Sequence, residues 1–510
     1  FLVLVIAGIN FMNLATAQSS SRAREVGLRK VVGSRKPQLI AQFLTESVVI
    51  SLLALLVALG LVYLLMPGYN NILDKNLVFN IFERSWILPL LLLFAIVTGI
   101  FSGGYPAFVL ASFRPSAVLS SSKSSSGGGK ATLRKLLIVT QFTTTIVILM
   151  GTVVVNRQLN YMQRKDPGFG RDNLLVVHRA EVLGGSIEAF KEQLNAHSNI
   201  LAASNSTHIP SGGFWGNAHW IEGRGRDDIF TIATYRSSYD FEKALDLELV
   251  QGRFFSRDIP TDSVGVVVNE AALKVLGIED PLNTRFFQPS YRGYEDEFMP
   301  IIGVVKDFHF ESMQNEIKPM AIHFMPDNFT GKLLIKLGEG DRRQTVTFIQ
   351  DKWEELNSEY PFEYTWMDEE FSKLFNEEKN TGQLLAIFSI LSIAVTCLGL
   401  LGLISYATSQ RRKEIGVRKI MGASIKLIMS LFSKETSILL GISTLLSIPA
   451  YFGVRAWLQK FAYHLNLQWG LYFLVLLCVS LLVLLLALLT VSFHSYRAAA
   501  ANPVESLRYE

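Results

Sequence analysis

Long apolar stretches, separated by polar segments, dominate the pattern of the chain. A helix needs about 20 mostly apolar residues to cross the hydrocarbon core of a bilayer. Seven stretches come close to this length, at residues 1–17, 48–66, 86–111, 136–155, 384–407, 438–454 and 471–493. One such stretch would suit a buried core helix, but seven of them, several without any charge, predict a polytopic α-helical membrane protein.

The polar region between the fourth and fifth stretches has a different pattern. Apolar and β-branched runs predict strands at residues 174–177, 230–235, 264–268, 301–305 and 333–337. A helical period predicts helices at 187–196, 270–276 and 342–356. An acidic helical pattern at 367–379 is expected to run straight into the fifth span. With roughly 220 residues the region is long enough for its own core, so we predict an inserted α/β domain.

The distribution of charged residues predicts which segments lie on each side of the membrane. Apolar residues make up 49% and charged residues 18% of the 510 residues, and the net charge is +4. Segments 19–36 and 408–426 each carry six Lys or Arg and one acid, and 112–135 carries five and none. Residues 157–379 carry 24 basic and 36 acidic residues. Because basic loops stay in the cytoplasm, we expect the acidic region outside and the C-terminal tail inside.

The start of the chain and its two cysteines add further expectations. Residue 1 is not Met and lies inside an apolar stretch, without the charged segment and cleavage site of a signal peptide. We therefore expect the sequence to be a fragment that lacks an N-terminal part. Cys397 and Cys478 lie within predicted spans, so we expect packing residues and no disulfide.

One basic segment occurs twice. Residues 22–33, RAREVGLRKVVG, return 389 positions later as RRKEIGVRKIMG at residues 411–422. The match extends to Glu46 and Glu435. Each copy follows one apolar stretch and leads into another, so we expect two equivalent membrane blocks.

Each copy predicts a short amphipathic helix at the inner membrane surface. Glu25 and Arg29, like Glu414 and Arg418, are four positions apart with the acid first, which is the favourable order on a helix. A glycine ends each copy, as is common at helix C-termini.

Three interpretations of the repeated segment compete. It could anchor on anionic lipid headgroups, it could be a solvated loop without a partner, or it could dock a cytoplasmic protein. Anchoring requires basic residues but no shared order of Glu, Gly, Arg, Lys and Gly, so docking is favoured. The predicted docking residues are Arg22, Glu25, Gly27, Arg29, Lys30, Gly33, Arg411, Glu414, Gly416, Arg418, Lys419 and Gly422.

Both copies resemble the signature of FtsX-like permease domains, which occur in the membrane subunits of MacB- and LolC-type ABC transporters. Three further stretches resemble Bacteroidetes members of this group: KDPGF at 165–169, GRFF at 252–255 and GVVKDFHF at 303–310. The resemblance covers essentially the whole chain. It implies eight spans and two outer domains in a complete member, so the first span and the first outer domain are expected to be missing here.

The resemblance also implies how the chain is organised. A first membrane block with three spans is expected at residues 1–119, a cytoplasmic linker at 120–135 and an outward-crossing span at 136–156. A MacB-like periplasmic core domain is expected at 157–379, and the second block with its cytoplasmic tail at 380–510. This arrangement implies a location in a bacterial inner membrane.

The resemblance implies a permease subunit that has no ATPase of its own. No G-x-x-x-x-G-K-[ST] pattern occurs in the sequence, so ATP hydrolysis is expected in a separate cytoplasmic subunit that docks on both repeated segments. Its motion is expected to reach the outer domain by mechanotransmission. Expected partners are this ATPase, a second permease copy or paralogue, membrane lipids, and a membrane-fusion or other periplasmic protein. No cofactor and no nucleic acid is expected.

Two functions fit these expectations. The first is export or extraction of an amphipathic molecule, such as an antimicrobial peptide, a macrolide-like drug or a lipoprotein. The second is a mechanotransmitter that transports nothing and activates an envelope partner, such as a cell-wall hydrolase or a sensor.

A membrane enzyme is not supported, because the sequence offers no catalytic constellation. No nucleophile-elbow pattern occurs. Asp307 and His309 are fewer ligands than a metal site needs, so a turn at a strand end is favoured. Residues 208–210 and 215–220 are expected to form an aromatic loop, either an ordered surface loop or a lip for a substrate or partner.

Overall fold

A computed structural model describes residues 2–73, 76–78, 84–111, 128–211, 213–224, 227–288, 297–325, 331–357, 359–410, 421 and 424–500. The α-helices are α1 (Leu2–Val31), α2 (Lys36–Leu73), α3 (Ile87–Ala111), α4 (Gly128–Arg164), α5 (Ile187–Asn195), α6 (Phe241–Ala244), α7 (Glu270–Leu276), α8 (Arg342–Leu356), α9 (Met367–Lys373), α10 (Asn376–Gln410), α11 (Ile425–Leu446), α12 (Ala450–Leu458) and α13 (Trp469–Ala500). The strands are β1 (Leu174–His178), β2 (Ile200–Ser206), β3 (Trp215–Ile221), β4 (Phe230–Ser237), β5 (Leu249–Gly252), β6 (Val266–Asn269), β7 (Arg285–Gln288), β8 (Glu297–Val305), β9 (Met320–Phe324), β10 (Lys332–Leu337) and β11 (Tyr364–Trp366).

The chain divides into two compact units. The helical unit comprises Phe1–Arg157, Asn380–Ala456 and Asn466–Glu510. The α/β unit comprises Gln158–Lys379 and the short segment Trp457–Leu465. The second segment of the α/β unit was not foreseen from the sequence, because it lies between two predicted spans.

The helical unit contains the predicted spans. Among the described residues, α2, α3, α4, α10 and α13 are long and apolar enough to cross a membrane. The helices α11 and α12 pass this test only together, with a bend of 44° between them. Pro449 lies at the bend, where it removes a backbone donor from the helix. The first predicted span begins α1, whose apolar part is Leu2–Ala15. The prediction of a polytopic helical membrane protein is confirmed.

In the first block, α2 and α3 approach closely because their facing residues are small. Gly99 and Gly103 of α3 pack against Ser47 of α2, and a methyl group on either glycine would overlap with α2. The Ser51 hydroxyl donates to the Ala95 carbonyl of α3 at 2.7 Å. Small residues of this kind let helices associate within a membrane, where the hydrophobic effect between helices is weak.

Side-chain hydroxyls join α4, the predicted outward-crossing span, to α10 of the second block. The Thr145 hydroxyl lies 3.0 Å from the hydroxyls of both Ser392 and Thr396. The Thr152 hydroxyl lies 2.7 Å from that of Ser389. We call these five residues the hydroxyl ladder. Because every hydroxyl in it has a partner, the ladder favours a single register between the two helices.

The sequence repeat is visible in the helix boundaries. The helices α2 and α11 begin at Lys36 and Ile425, which are 389 residues apart, the same spacing as the repeated basic segment. The two blocks therefore correspond in structure as well as in sequence at these helix starts.

The first core of the α/β unit lies between a sheet and two helices. The strands β11, β1, β10 and β2 are neighbours in that order, and all three pairings are antiparallel. Helices α5 and α8 pack on this sheet and bury Phe190 and Trp353, whose ring centroids are 5.9 Å apart. The Trp353 indole N–H donates to the Tyr360 carbonyl at 3.0 Å, so its polar atom is satisfied inside the core.

The second core lies inside a closed ring of strands. The ring runs from β4 through β3, β7, β8, β6 and β9 and back to β4, and β5 pairs with β8. Apolar residues from these strands and from α7 fill it, including Ile221, Ile232, Val266, Val268, Ala272, Phe286, Met299, Ile301 and Ala321. Closure pairs the strand edges that an open sheet would leave free.

Three expectations about local structure were wrong. Residues 128–135, expected in the linker, belong to α4, because most of them are good helix formers; residues 120–127 lie outside the described part of the chain. The pattern at 367–379 does not run unbroken into the span, since tight i→i−3 hydrogen bonds at Leu374 and Phe375 separate α9 from α10. Residues 215–220, expected in a loop, form β3, where pairing with β4 satisfies the backbone.

Two buried histidines face each other inside the ring. His219 of β3 and His323 of β9 have ring centroids 5.4 Å apart and are 0% and 6% exposed. Burial lowers the pKa of His219 to about 4. Burial, together with His219 and the nearby Arg236, holds the pKa of His323 well below its usual value. Both imidazoles are therefore neutral at pH 7.

Acid is expected to loosen the strand ring. Unfolding restores the ordinary histidine pKa of 6.5, so the stabilising effect of the neutral rings is present above pH 6.5 and is lost as the pH falls towards about 4. For His219 the shift corresponds to about 3 kcal/mol. Hydrogen–deuterium exchange of the full chain, corrected for intrinsic rates, should show protection in β3, β4 and β9 falling over this range.

His219→Leu should weaken that pH dependence, because one of the two buried titrating groups is gone and His323 remains. The exposed His464 provides the control, and His464→Leu should leave the pH dependence unchanged. Protection in the ring that stays constant over this range in the unsubstituted protein would contradict the assignment.

Candidate docking site

The first repeated segment forms the C-terminal end of α1. The sequence predicted a separate short helix, but α1 is unbroken over Leu2–Val31, because no proline interrupts its hydrogen-bond pattern. The helix ends where Gly33 adopts a φ of +104°. The Ser34 N–H donates to the Arg29 carbonyl at 2.9 Å, and the Gly33 N–H to the Lys30 carbonyl at 3.1 Å. These are the bonds of a Schellman end, which favours glycine, and the predicted role of Gly33 in ending the helix is confirmed.

Two side chains hold this end of α1 against the rest of the first block. Val26 is 1% exposed and packs with Leu39, Phe43, Ala107 and Ala111. The Lys30 ammonium donates to the Ala111 carbonyl at the C-terminus of α3, at 2.7 Å. A cation at this position also interacts favourably with the negative end of the helix dipole. Lys30, which the sequence assigned to docking, therefore joins α1 to α3 within the block.

The opposite side of this helix end is exposed. Glu25 and Arg29 form the predicted i,i+4 ion pair at 2.6 Å, with side chains 55% and 42% exposed. Arg29 also donates to the Gln42 side chain of α2 at 2.7 Å. Leu28 is 57% and Val32 87% exposed. We call Glu25, Leu28, Arg29 and Val32 the docking face. An exposed ion pair contributes little to stability, so stability does not explain why the pair occurs in both copies.

Most of the other predicted docking residues cannot be placed from the described part of the chain. Gly27 is buried behind the docking face. The side chain of Arg22 lies outside the described residues. The whole second set lies outside them as well: Arg411, Glu414, Gly416, Arg418, Lys419 and Gly422. The next helix after this set, α11, begins with Ser424 as its N-cap, whose hydroxyl accepts the Leu427 N–H at 3.3 Å.

A cleft in the α/β unit brings together two of the stretches that carry the family resemblance. The 165–169 turn and the segment after β8 line a cleft of about 500 Å³, together with Tyr463. The His309 N–H donates to the Pro167 carbonyl at 2.7 Å. The Lys165 ammonium lies 3.0 Å from the centre of the Tyr463 ring. The two stretches therefore form one structural element, although they are far apart in the sequence.

Tyr463 belongs to the short segment that the sequence did not assign to this unit. Gln158, which is 1% exposed, holds it with a pair of hydrogen bonds. Its amide nitrogen donates to the Tyr463 carbonyl at 2.7 Å, and its amide oxygen accepts the Leu465 N–H at 2.8 Å. Gln158 was missed from the sequence because it occurs near the end of a long helical pattern without any motif.

Asp307 and His309 contribute to the structure of this cleft. The Asp307 carboxylate accepts the Ala271 N–H at 2.8 Å, at the start of α7. Burial raises the pKa of Asp307, and burial together with Lys165 lowers the pKa of His309 to about 4. Among the described residues, no three His, Cys, Asp or Glu side chains are grouped to hold a metal ion.

The aromatic residues that suggested a lip also lie together. The His208 ring stacks on the Tyr235 ring at 5.5 Å between centroids and meets the edge of Trp215 at 5.0 Å. Trp215 is 45% exposed at the start of β3. The cluster is thus part of the sheet, and a role in substrate or partner contact stays a prediction.

Comparison with known proteins points to one family for both membrane blocks. The family model for the FtsX-like permease C-terminal domain matches residues 1–115 and 386–503. The macrolide export ATP-binding/permease protein MacB of Bdellovibrio bacteriovorus is 32% identical over 118 residues, and that of Bradyrhizobium diazoefficiens is 36% identical over 124 residues. Each alignment covers 23% of this chain, and 17% and 18% of the relative. The chain therefore spans less than a fifth of the length of these relatives.

A solved structure was also matched. The periplasmic region of MacB from Actinobacillus actinomycetemcomitans aligns with 40% of this chain and 93% of its own chain, with a TM-score of 0.30 and 15% identity.

Each of the two segments that the family model matches contains one copy of the repeated basic segment. The resemblance of the two blocks to FtsX-like permease domains is therefore confirmed.

Substitutions of Val26 and Leu28 are expected to distinguish the buried side of this helix end from its exposed side. Val26→Ala should lower the free energy of unfolding by about 1–2 kcal/mol, because it removes two buried methyl groups beneath the helix end. Leu28→Ala should leave stability unchanged, because Leu28 is 57% exposed. Unfolding of the purified protein in detergent measures both effects. Equal losses for the two variants would contradict the assignment of a buried and an exposed side to this helix end.

Proposed function

We propose that the chain is an ABC transporter permease subunit of the FtsX-like kind, driven by a separate cytoplasmic ATPase, because the FtsX-like permease model matches both membrane blocks. The ATPase binds the docking face of the first block and the equivalent segment of the second. Its hydrolysis of ATP moves the two segments and, through the spans, the α/β unit. No ATP-binding pattern occurs in the sequence itself, which supports a separate motor subunit.

The observation that carries this proposal is the position of the docking face on α1. The face lies on the same unbroken helix as the first apolar stretch, Leu2–Ala15. Every backbone group inside a helix is bonded to the next turn, so a force on the docking face moves the span as a rod. A headgroup anchor would need basic residues but not the ordered ion pair.

Continuous helices also support transmission to the α/β unit. The helix α4 runs over Gly128–Arg164, and its residues from Gln158 on belong to the α/β unit. The helix α10 begins at Asn376, and its residues up to Lys379 belong to the same unit. Because the hydroxyl ladder joins these two helices, we propose that they carry the motion together.

The cargo that we propose is an amphipathic molecule, such as a macrolide-like drug, an antimicrobial peptide or a lipoprotein, which the chain exports or extracts with a second permease copy. Relatives of the blocks are named macrolide export proteins. Ionisable side chains within a membrane usually mark a path for ions or polar solutes. Glu435 lies near the end of a predicted span and pairs with Lys135 at 3.2 Å, with both side chains about half exposed. This arrangement favours mechanical handling of cargo over conduction through a polar pore.

Charge reversal in both docking segments is expected to release the ATPase. Arg29→Glu combined with Arg418→Glu removes the shared basic position in each copy and should abolish co-purification of the ATPase from membranes, without loss of membrane insertion. The matched control is Arg35→Glu combined with Lys426→Glu, which changes the net charge equally just outside the repeated segment. If the ATPase still co-purifies with the first double variant, the docking assignment is wrong.

The proposed orientation predicts which residues an impermeant reagent can reach. Glu279 is exposed in the α/β unit and Arg35 is exposed after the docking face. In a variant without Cys397 and Cys478, Glu279→Cys should react with a membrane-impermeant maleimide added outside spheroplasts, and Arg35→Cys should react only after lysis. The reverse pattern would place the α/β unit in the cytoplasm and overturn the proposed topology.

A further inference from the structure

The helices α1 and α10 meet at positions that the repeat makes equivalent. Asn10 and Gly399 are 389 residues apart, like the two docking segments, and they are in contact. A methyl group on Gly399 would overlap with the Asn10 amide and lie 3.2 Å from Nε2 of Gln141 on α4. Likewise, a methyl group on Gly402 would overlap with Leu14. The two copies therefore touch through glycines of one helix and larger side chains of the other.

The amides at this contact are incompletely bonded. Asn10 donates to the Val395 carbonyl at 3.3 Å, a long hydrogen bond. Asn13 is 1% exposed and Gln141 3% exposed. Neither amide atom of Asn13 has a hydrogen-bond partner among the described residues, and the same holds for Oδ1 of Asn10 and Nε2 of Gln141. Each buried polar group left in this state costs about 1–3 kcal/mol.

The contact between α4 and α10 is of the opposite kind. The hydroxyls of the ladder are paired at 2.7–3.0 Å, so that contact has no reason to rearrange. Three unpaired amide atoms on α1 and one on α4 indicate that a second arrangement of α1 against α4 and α10 can satisfy them better. Gly399 lies against the Asn10 amide and Gly402 against Leu14, so no side chain of these two positions blocks a turn of α1.

The first docking segment is the C-terminal end of α1, one of these two helices. On α1, Glu25 follows Asn13 by twelve residues, a lever of roughly 18 Å at the helical rise. A rotation of about 20° at the contact would displace the docking face by about 6 Å on this lever. The second docking segment follows α10 in the sequence. A change of angle where α1 and α10 cross would therefore move the docking face on α1 relative to α10.

We propose that Asn10, Asn13, Gln141, Gly399 and Gly402 form a pivot about which the two docking segments close, and that the three amides change hydrogen-bond partners as α1 turns on α10. The ladder keeps α4 with α10, so these two helices turn as one body against α1. The inference rests on the proposed function for its source of motion, and it adds the place within the membrane where the two copies move.

Pulsed EPR distances test the pivot without the ATPase. In full-length protein without its native cysteines, spin labels at Leu28 and Leu398 report the angle between α1 and α10, and labels at Leu136 and Leu398 report the ladder contact. All three positions are exposed. The first pair should give two distances and the second pair one. Asn13→Leu should reduce the first pair to one distance, because it removes the amide that favours the second arrangement. A single distance for the first pair, unaffected by Asn13→Leu, would overturn the pivot.

Reversible cross-links test the same inference in the complex with the ATPase. Asn10→Cys with Gly399→Cys, when oxidised, should hydrolyse ATP at least tenfold more slowly than the same variant after reduction with dithiothreitol. The matched control, Thr145→Cys with Ser392→Cys in the ladder, should keep more than half of the rate when oxidised. Full ATP hydrolysis by the oxidised Asn10→Cys and Gly399→Cys variant, or an equal loss of rate in both cross-linked variants, would contradict the pivot.

The measurements also distinguish a failure of the proposed function from a failure of the pivot. If the reduced protein neither binds the ATPase nor supports ATP hydrolysis, the docking proposal fails, and the EPR distances still decide whether α1 turns on α10. Recovery of activity on reduction separates locking from misfolding, because both measurements then use the same folded molecules.

Discussion

The account depends on one constraint, the need of every backbone polar group within a bilayer for a hydrogen bond inside the protein. A span that meets this need as a single helix is a stiff rod. In α1 the rod extends past its apolar part to the docking face, where Val26 and Lys30 fasten it to the neighbouring helices. The first block can therefore receive a force at one end and move as a body, without a hinge between the docking face and the span.

Two kinds of helix contact determine which helices move relative to each other in this account. Glycine and serine lie between α2 and α3, and the hydroxyls of the ladder between α4 and α10 are paired with one another. The contact between α1 and α10 has unpaired amides against glycine. Buried polar groups are costly in a medium that offers no water, so this contact is the one whose free energy a small rotation can change most. In this account the pairs α2–α3 and α4–α10 each move as a unit, and the angle changes where α1 crosses α10.

The sequence predicted those parts of the structure that have a signal in neighbouring residues, such as an apolar stretch or a helix cap. The spans follow from length alone, and the helices Glu270–Leu276 and Arg342–Leu356 have the predicted bounds, since Asn269 and Asp341 cap them. The strand Ile200–Ser206 was missed because its buried second half is polar and shows no apolar alternation. The repetition led to the docking prediction, but the unbroken α1 was not foreseen, because polar residues interrupt its apolar pattern. The pivot depends on the register between distant helices, which no local pattern encodes.

The most direct test of the central claim is the distance between the two docking segments during the ATP cycle. Spin labels at Arg35 and Lys426, just outside the two docking segments, can be measured in the permease–ATPase complex without nucleotide and with ATP trapped before hydrolysis. The account predicts that ATP shortens the distance by several ångströms, as about 20° of turning on a helical lever requires. An identical distance in both states would contradict it, because the two segments would then transmit no motion.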